Sequence, residues 1–198
     1  MLRRDAKNEV MEDAMFEKCW LSLAAVVVAS AAHAQAFELT SSDFDDGDTL
    51  ADAVVFDGFG CTGGNVSPAL RWSDVPEGTE SFALMVHDPD APTGGAGFWH
   101  WIVLDIPATV QELPQGAGAA GGDELPAGAR MVANDYGILG WGGPCPPEGH
   151  GAHRYNFTLY ALPVAELEVP EGASTAVTGF IINASALGTA TLQGIYER

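Results

Sequence analysis

Lysine is almost missing from this chain of 198 residues, and both copies, Lys7 and Lys18, come before residue 19. From residue 35 onward the basic side chains are Arg71, Arg130, Arg154 and Arg198, set against 22 of the 27 acidic residues, for a formal charge of −18. A nucleic-acid-binding surface needs a basic footprint to displace counterions, and four scattered arginines do not supply one. Anionic membrane surfaces are disfavoured for the same reason. The acidity itself reads as a device for solubility rather than as the mark of a cationic partner.

Long apolar runs are also missing. The one candidate, Trp20 to Ala32, is short for a membrane span and ends in Ala32-His33-Ala34, the pattern of a secretory signal. Residues 1–34 are therefore expected to be a signal peptide cut before Gln35, with 35–198 a single domain in the periplasm or outside a bacterial cell. Asp5, Glu9, Glu12, Asp13 and Glu17 make the start unusually acidic, whereas translation from Met15 leaves an ordinary signal with Lys18 beside its core. An uncleaved anchor is the alternative. A lipoprotein signal does not fit, because Cys19 precedes the apolar core.

Cysteine is scarce as well. Removing Cys19 with the signal leaves Cys61 and Cys145, and in an exported protein such a pair is most simply a disulfide, with two free buried thiols as the alternative. The bridge would tie the loop 60–65 to the loop that holds Cys145.

What is present is a series of short apolar runs between Gly, Pro and Asp turns, the pattern of an antiparallel β protein. Strands are predicted at 81–86, 100–106 and 155–161. In the last of these Tyr155, Phe157, Leu159 and Ala161 share one face. Weaker strands are read at 36–40, 53–56, 69–72, 131–134 and 191–196, and an irregular surface excursion at 111–128. Val177, Phe180, Ile181, Ala184 and Leu187 fall at helical spacing after Ser174 or Thr175, either of which can cap a helix.

The polar residues gather at two Gly/Pro-rich loops. His87-Asp88-Pro89-Asp90-Ala91-Pro92 is a stiff turn at a strand end, where an unpaired carboxylate is costly, so Asp88 is expected to accept from His100, His153 or nearby amides. The bland reading is an Asp-Pro turn that only caps the strand. Alternation in Trp99-His100-Trp101 places His100 on the face opposite both tryptophans, and His153 shares a face with Tyr155. A metal site fits poorly, because the chain has no His-x-x-x-His or Cys-x-x-Cys spacing. A hydrolase lacks a Gly-x-Ser-x-Gly elbow, and Ser67 is the one loop serine set among other motif residues. An anion pocket remains, with the amides of Gly142, Gly143 and Cys145 as a nest and the imidazoles as donors.

These motifs, in their order and spacing, resemble the phosphatidylethanolamine-binding protein family, also called Raf kinase inhibitor-like proteins, and most closely its bacterial YbhB/YbcL branch. The resemblance runs from about Gly60 to Tyr196. It rests on Gly60-Cys61-Thr62-Gly63-Gly64-Asn65-Val66-Ser67-Pro68, Asp88-Pro89-Asp90-Ala91-Pro92, Trp99-His100-Trp101, Asn134-Asp135-Tyr136-Gly137, Gly142-Gly143-Pro144-Cys145-Pro146-Pro147 and His153-Arg154-Tyr155. It implies a mostly β fold, an antiparallel β-sandwich of Greek-key type with a C-terminal peripheral helix. It also implies a pocket for phosphate, acetate or a phospholipid head group, formed by Asp88, Asp90, His100, Pro147, His153 and Tyr155 with Gly143 as backbone donor. Where relatives carry a histidine near the end of the helix, this chain has Asn183 or Ser185.

The reading is then a non-enzymatic exported protein that binds a small anion and uses neither metal nor cofactor. Binding is expected to strengthen as pH falls through the histidine range, because a carboxylate near an imidazole favours the imidazolium. The alternative is an inhibitor or scaffold that meets another protein, a kinase or a protease for example, through a rim containing Trp101 and Trp141. A weak hydrolase of phosphoesters or peptides is the third reading.

Overall fold

The computed structural model describes residues 36–198, so the expected signal peptide, with Met15, Lys18 and Cys19, lies outside the described residues. Ten strands and one helix follow in chain order: β1 (Glu38–Thr40), β2 (Asp57–Gly58), β3 (Cys61–Thr62), β4 (Leu70–Ser73), β5 (Ser81–Asp88), β6 (Phe98–Pro107), β7 (Glu112–Leu113), β8 (Arg130–Met131), β9 (His153–Leu162), α1 (Thr175–Ser185) and β10 (Gly188–Tyr196). A five-stranded antiparallel sheet runs β10-β9-β5-β6-β8, a small one runs β1-β4-β7, and β2-β3 is a separate hairpin.

The continuous apolar run of β5 is explained by its place, since the central strand is covered on both faces. One face meets the small sheet in a core that includes Phe82, Leu84, Val86, Phe157, Leu70 and Trp72. The other carries Met85, Ile102 and Tyr160 under Ile182 of α1 and Leu167. In β9, Tyr155, Phe157, Leu159 and Ala161 do share the sandwich face. The architecture is mostly β with antiparallel sheets and a peripheral helix, as expected. No helix among the described residues is long and apolar enough to cross a membrane.

Three local expectations are corrected. Residues 53–56 are turn, not strand, because Val54 and Val55 bond back to Ala51 and Asp52 while burying their side chains. The excursion 111–128 is not all surface: β7 pairs with β4 and buries Leu113, and Ala117 follows it into the core. Helix α1 is capped by Ser174, which accepts from the Val177 amide, but its inward face is Thr178, Gly179 and Ile182, and Phe180 is 75% exposed. Small residues face inward because the helix lies close to the sheet. A Cβ on Gly179 would come within 3.3 Å of Met85.

Candidate functional site

Antiparallel pairing brings the end of β5 between the starts of β6 and β9, so Asp88, His100 and His153 meet at one end of the sheet. His100 owes its direction to a bulge. Val86 pairs with Trp101 and His87 with Trp99, which leaves His100 as the extra residue of β6. Simple alternation fails here. Trp99 packs beneath α1, Trp101 enters the sandwich core beside Trp141, and His100 turns to a cavity of about 180 Å³. Phe98 and Tyr136 wall it, Phe59 stands at its mouth, and Cys145 and Pro147 complete the lining with Asp88 and His153.

Asp88 is 3% exposed, and both its oxygens are engaged. Oδ1 accepts from the Asp90 amide at 2.8 Å and Oδ2 from His153 Nδ1 at 2.7 Å. With Nδ1 donating to the carboxylate, His153 Nε2 faces His150 Nδ1 at 2.7 Å, so those two nitrogens share a single proton. His150 was not read from the sequence; its signal is the Gly149-His150-Gly151 turn three residues before His153. The second nitrogen of His153 is therefore already engaged.

What stays open is elsewhere. Among the described residues four buried side-chain polar atoms lack a partner; one of them, His100 Nε2, belongs to a residue that lines the cavity, while Tyr155 Oη belongs to a core residue packed against His100 that, contrary to expectation, does not line it. The two rings meet edge to face at 5.1 Å between centroids. Burial pushes the His100 imidazole down to about 4, against the opposing pull of the Gly142 carbonyl and the Asp88 charge. Burial and then the Asp88 charge push the Tyr155 phenol up, so it keeps its proton. His100 is thus neutral across the pH range in which it was expected to become an imidazolium, and the expected rise in binding cannot come from it.

Two further assignments change. The Asp90 carboxylate does not line the cavity: it is clamped by the backbone amide, Nε and Nη2 of Arg154 at 2.7 to 2.9 Å, a pairing that holds the β5 turn against the start of β9. The Gly143 amide donates to Asn65 Oδ1 at 2.8 Å, and that of Gly142 to the His100 carbonyl, so neither is free. Gly143 is required for a different reason, since a Cβ there would overlap the Val54 carbonyl. Of the three amides read as a nest, the one without a partner among the described residues is that of Cys145. Trp101 and Trp141 are core residues, not rim, while Asn183 and Ser185 bond back to Gly179 and Ile181 of their own helix. Ser67 is buried and takes the Gly118 amide. The cysteines are bridged, with Cα atoms 6.0 Å apart.

A larger hollow, of about 320 Å³, lies beside β4 and β7. Its charged groups, Arg71 and Glu112, are exposed and paired with each other, and none of the unpaired buried atoms belongs to it. The smaller cavity is the better candidate.

A family model described as phosphatidylethanolamine-binding protein matches residues 40–197. The chain belongs to the phosphatidylethanolamine-binding protein family. Within that family it is 49% identical over 166 residues to YbcL of Escherichia coli K12, spanning 84% of this chain and 90% of that protein. It is 44% identical over 160 residues to YbhB of the same strain, spanning 81% and 99%. The crystal structure of E. coli YbcL, described as a member of the mammalian PEBP family, matches with a TM-score of 0.79 at 48% identity, over 83% of this chain and 99% of that one. A putative lipoprotein, LppC of Mycobacterium tuberculosis H37Rv, is 43% identical over 155 residues, 75% of this chain and 72% of that protein.

The surroundings of His100, and of Asp90 in the adjoining turn, are expected to make the fold sensitive to acid in two windows. His100 has a folded pKa below the unfolded value of 6.5, so the unfolded chain binds the extra proton, and stability falls as pH drops from about 6.5 to about 4. Asp90 is held near 2, first by the Arg154 side chain. Its contribution is present above about 4 and lost as pH falls toward 2. Urea midpoints measured from pH 7 to 2 should show both declines, the lower one missing in Asp90→Asn. A flat profile between pH 6.5 and 4 would contradict the buried neutral imidazole.

Proposed function

We propose that this protein is an exported, non-enzymatic binding protein whose cavity takes a small anion, a phosphate or the phosphate of a phospholipid head group. One observation carries the reading: on the lining of the cavity the buried His100 Nε2 and the Cys145 amide have no partner within the described residues. Leaving such atoms unpaired is costly, and a ligand with several oxygens would satisfy them together. At about 180 Å³ the cavity is of a size for a small anion or head group rather than for lipid chains. The Cys61–Cys145 bridge and the lipoprotein relative support export. The buried, engaged Ser67 supports binding over hydrolysis.

The test is a titration with inorganic phosphate and phosphorylethanolamine, followed by heat and by tryptophan fluorescence, since Trp141 lies beside His100 at 6.5 Å between centroids. Saturable binding is expected, weakened about tenfold or more in His100→Ala, which removes the unpartnered nitrogen on the lining. If the unaltered protein binds neither, the protein-inhibitor or scaffold reading comes forward. Phe59, 77% exposed at the cavity mouth, is the residue that favours it.

A further inference from the structure

His100 is held so that it accepts from a ligand and does not donate to it. Its Nδ1 lies 2.6 Å from the Gly142 carbonyl oxygen, and a carbonyl only accepts, so the ring proton sits on Nδ1. Nε2 is left with a bare lone pair, buried and unpartnered. The titratable groups that face this ring are Asp88 and His87 from β5, His153 and Tyr155 from β9, and Tyr136 from the loop after β8. None of them bonds to Nε2. The one carboxylate, Asp88, is spent on the Asp90 amide and His153, and His87 Nε2 lies 3.1 Å from the Ala96 carbonyl. The ring is 2% exposed, which keeps it neutral near physiological pH.

A fully ionised oxyanion brought to this nitrogen would set lone pair against lone pair. On the reading that the cavity takes an anion, we propose that it selects an oxyanion that carries a proton. Such a ligand is a phosphate or phosphomonoester monoanion, whose P–OH donates to His100 Nε2 while a charged oxygen accepts from the Cys145 amide. No bond to phosphorus is made or broken. Where the dianion prevails in solution, one proton enters the complex with it, from the solvent. Sulfate has the shape of phosphate and no proton to give, so it leaves Nε2 unpaired. Sites built around a hydrogen bond reject analogues that lack it by large factors. The selection therefore favours free phosphate and phosphomonoesters; the phosphodiester of an intact phospholipid head group has no P–OH to donate and stands with sulfate.

The experiment is calorimetric titration of the full chain with inorganic phosphate, phosphorylethanolamine and sodium sulfate at pH 8.5, well above the second ionisation of a phosphate ester near 6, in two buffers of different ionisation enthalpy. Both phosphates are expected to bind, sulfate about 100-fold or more weakly, with close to one proton taken up per inorganic phosphate. Sulfate within tenfold of phosphate, or phosphate bound without proton uptake, would overturn the proposal and leave the anion pocket standing. Failure of all three ligands would overturn both. In His100→Gln, whose amide can turn a donor toward the cavity, the phosphate-to-sulfate ratio should narrow at least tenfold. An unchanged ratio in that variant, folded by circular dichroism, would also overturn it.

Discussion

Asp88→Ala is expected to lower stability by about 3 to 5 kcal/mol and to abolish anion binding, the magnitude being that of breaking a buried pair by removing one partner. The carboxylate is nearly inaccessible and accepts from two donors, so its loss strands the Asp90 amide and, more seriously, His153 Nδ1 in a site with little access to water. A domain of this size has only about 5 to 15 kcal/mol to lose. Asp88→Asn separates the two consequences. Its oxygen can still take the Asp90 amide, but its amide group then faces His153 Nδ1, which must become an acceptor and send the ring proton to Nε2, toward His150. Stability should fall less than in the alanine variant, while nitrogen chemical shifts of the His153 ring report the other tautomer. An alanine variant within about 1 kcal/mol of the parent protein in urea unfolding would mean that Asp88 only caps its strand.

Reduction of the Cys61–Cys145 bridge should cost about 2 to 4 kcal/mol, because it releases a closed loop spanning 84 residues in the unfolded chain. For a domain of this length that corresponds to a fall in Tm of about 5 to 15 °C. The effect reaches the site directly, since Cys145 lines the cavity and the other half of the bridge holds the β2–β3 hairpin with Phe59 at its tip. Phe59 sits at a backbone φ of +51°, a left-handed conformation that costs a side-chain-bearing residue about 1 to 2 kcal/mol. It keeps that conformation while stacked on Tyr136 and tilted against Phe56. Scanning calorimetry with and without a thiol reductant measures the shift, and a Cys61→Ala, Cys145→Ala double variant should melt at the reduced temperature and ignore the reductant. Equal melting of the oxidised and reduced protein would show that packing alone holds the loops.

Much of this molecule can be read from period and motif. The strict alternation from Tyr155 to Ala161 places β9 correctly because a strand with two different faces has to alternate. The order of the Asp-Pro, Trp-His-Trp, Gly-Gly-Pro-Cys and His-Arg-Tyr motifs points to the right family and the right end of the sheet. What escapes is what depends on partners distant in sequence. That Asp90 is spent on Arg154, 64 residues on, and that the Gly143 amide goes to Asn65, 78 residues back, leaves no trace in either local motif. The bulge at His100 is silent too, since one extra residue alters no composition and only shifts which neighbours share its face. In α1 hydrophobicity misleads: a helix that must lie close to a sheet turns Thr178 and Gly179 inward and leaves Phe180 outside.

The floor and the entrance of the cavity belong to different parts of the fold. Asp88, His100 and His153 stand on β5, β6 and β9, the three interior strands of the large sheet, whose backbone opens only when the whole domain does. Phe59 and Cys145 stand on a two-residue hairpin and an irregular loop, joined by one covalent tie. Local opening therefore has widely separated timescales within a few ångströms. On the proposed binding reading, entry and exit of a ligand are expected to follow opening of the lip, while the groups proposed to recognise it stand on the last part of the fold to open.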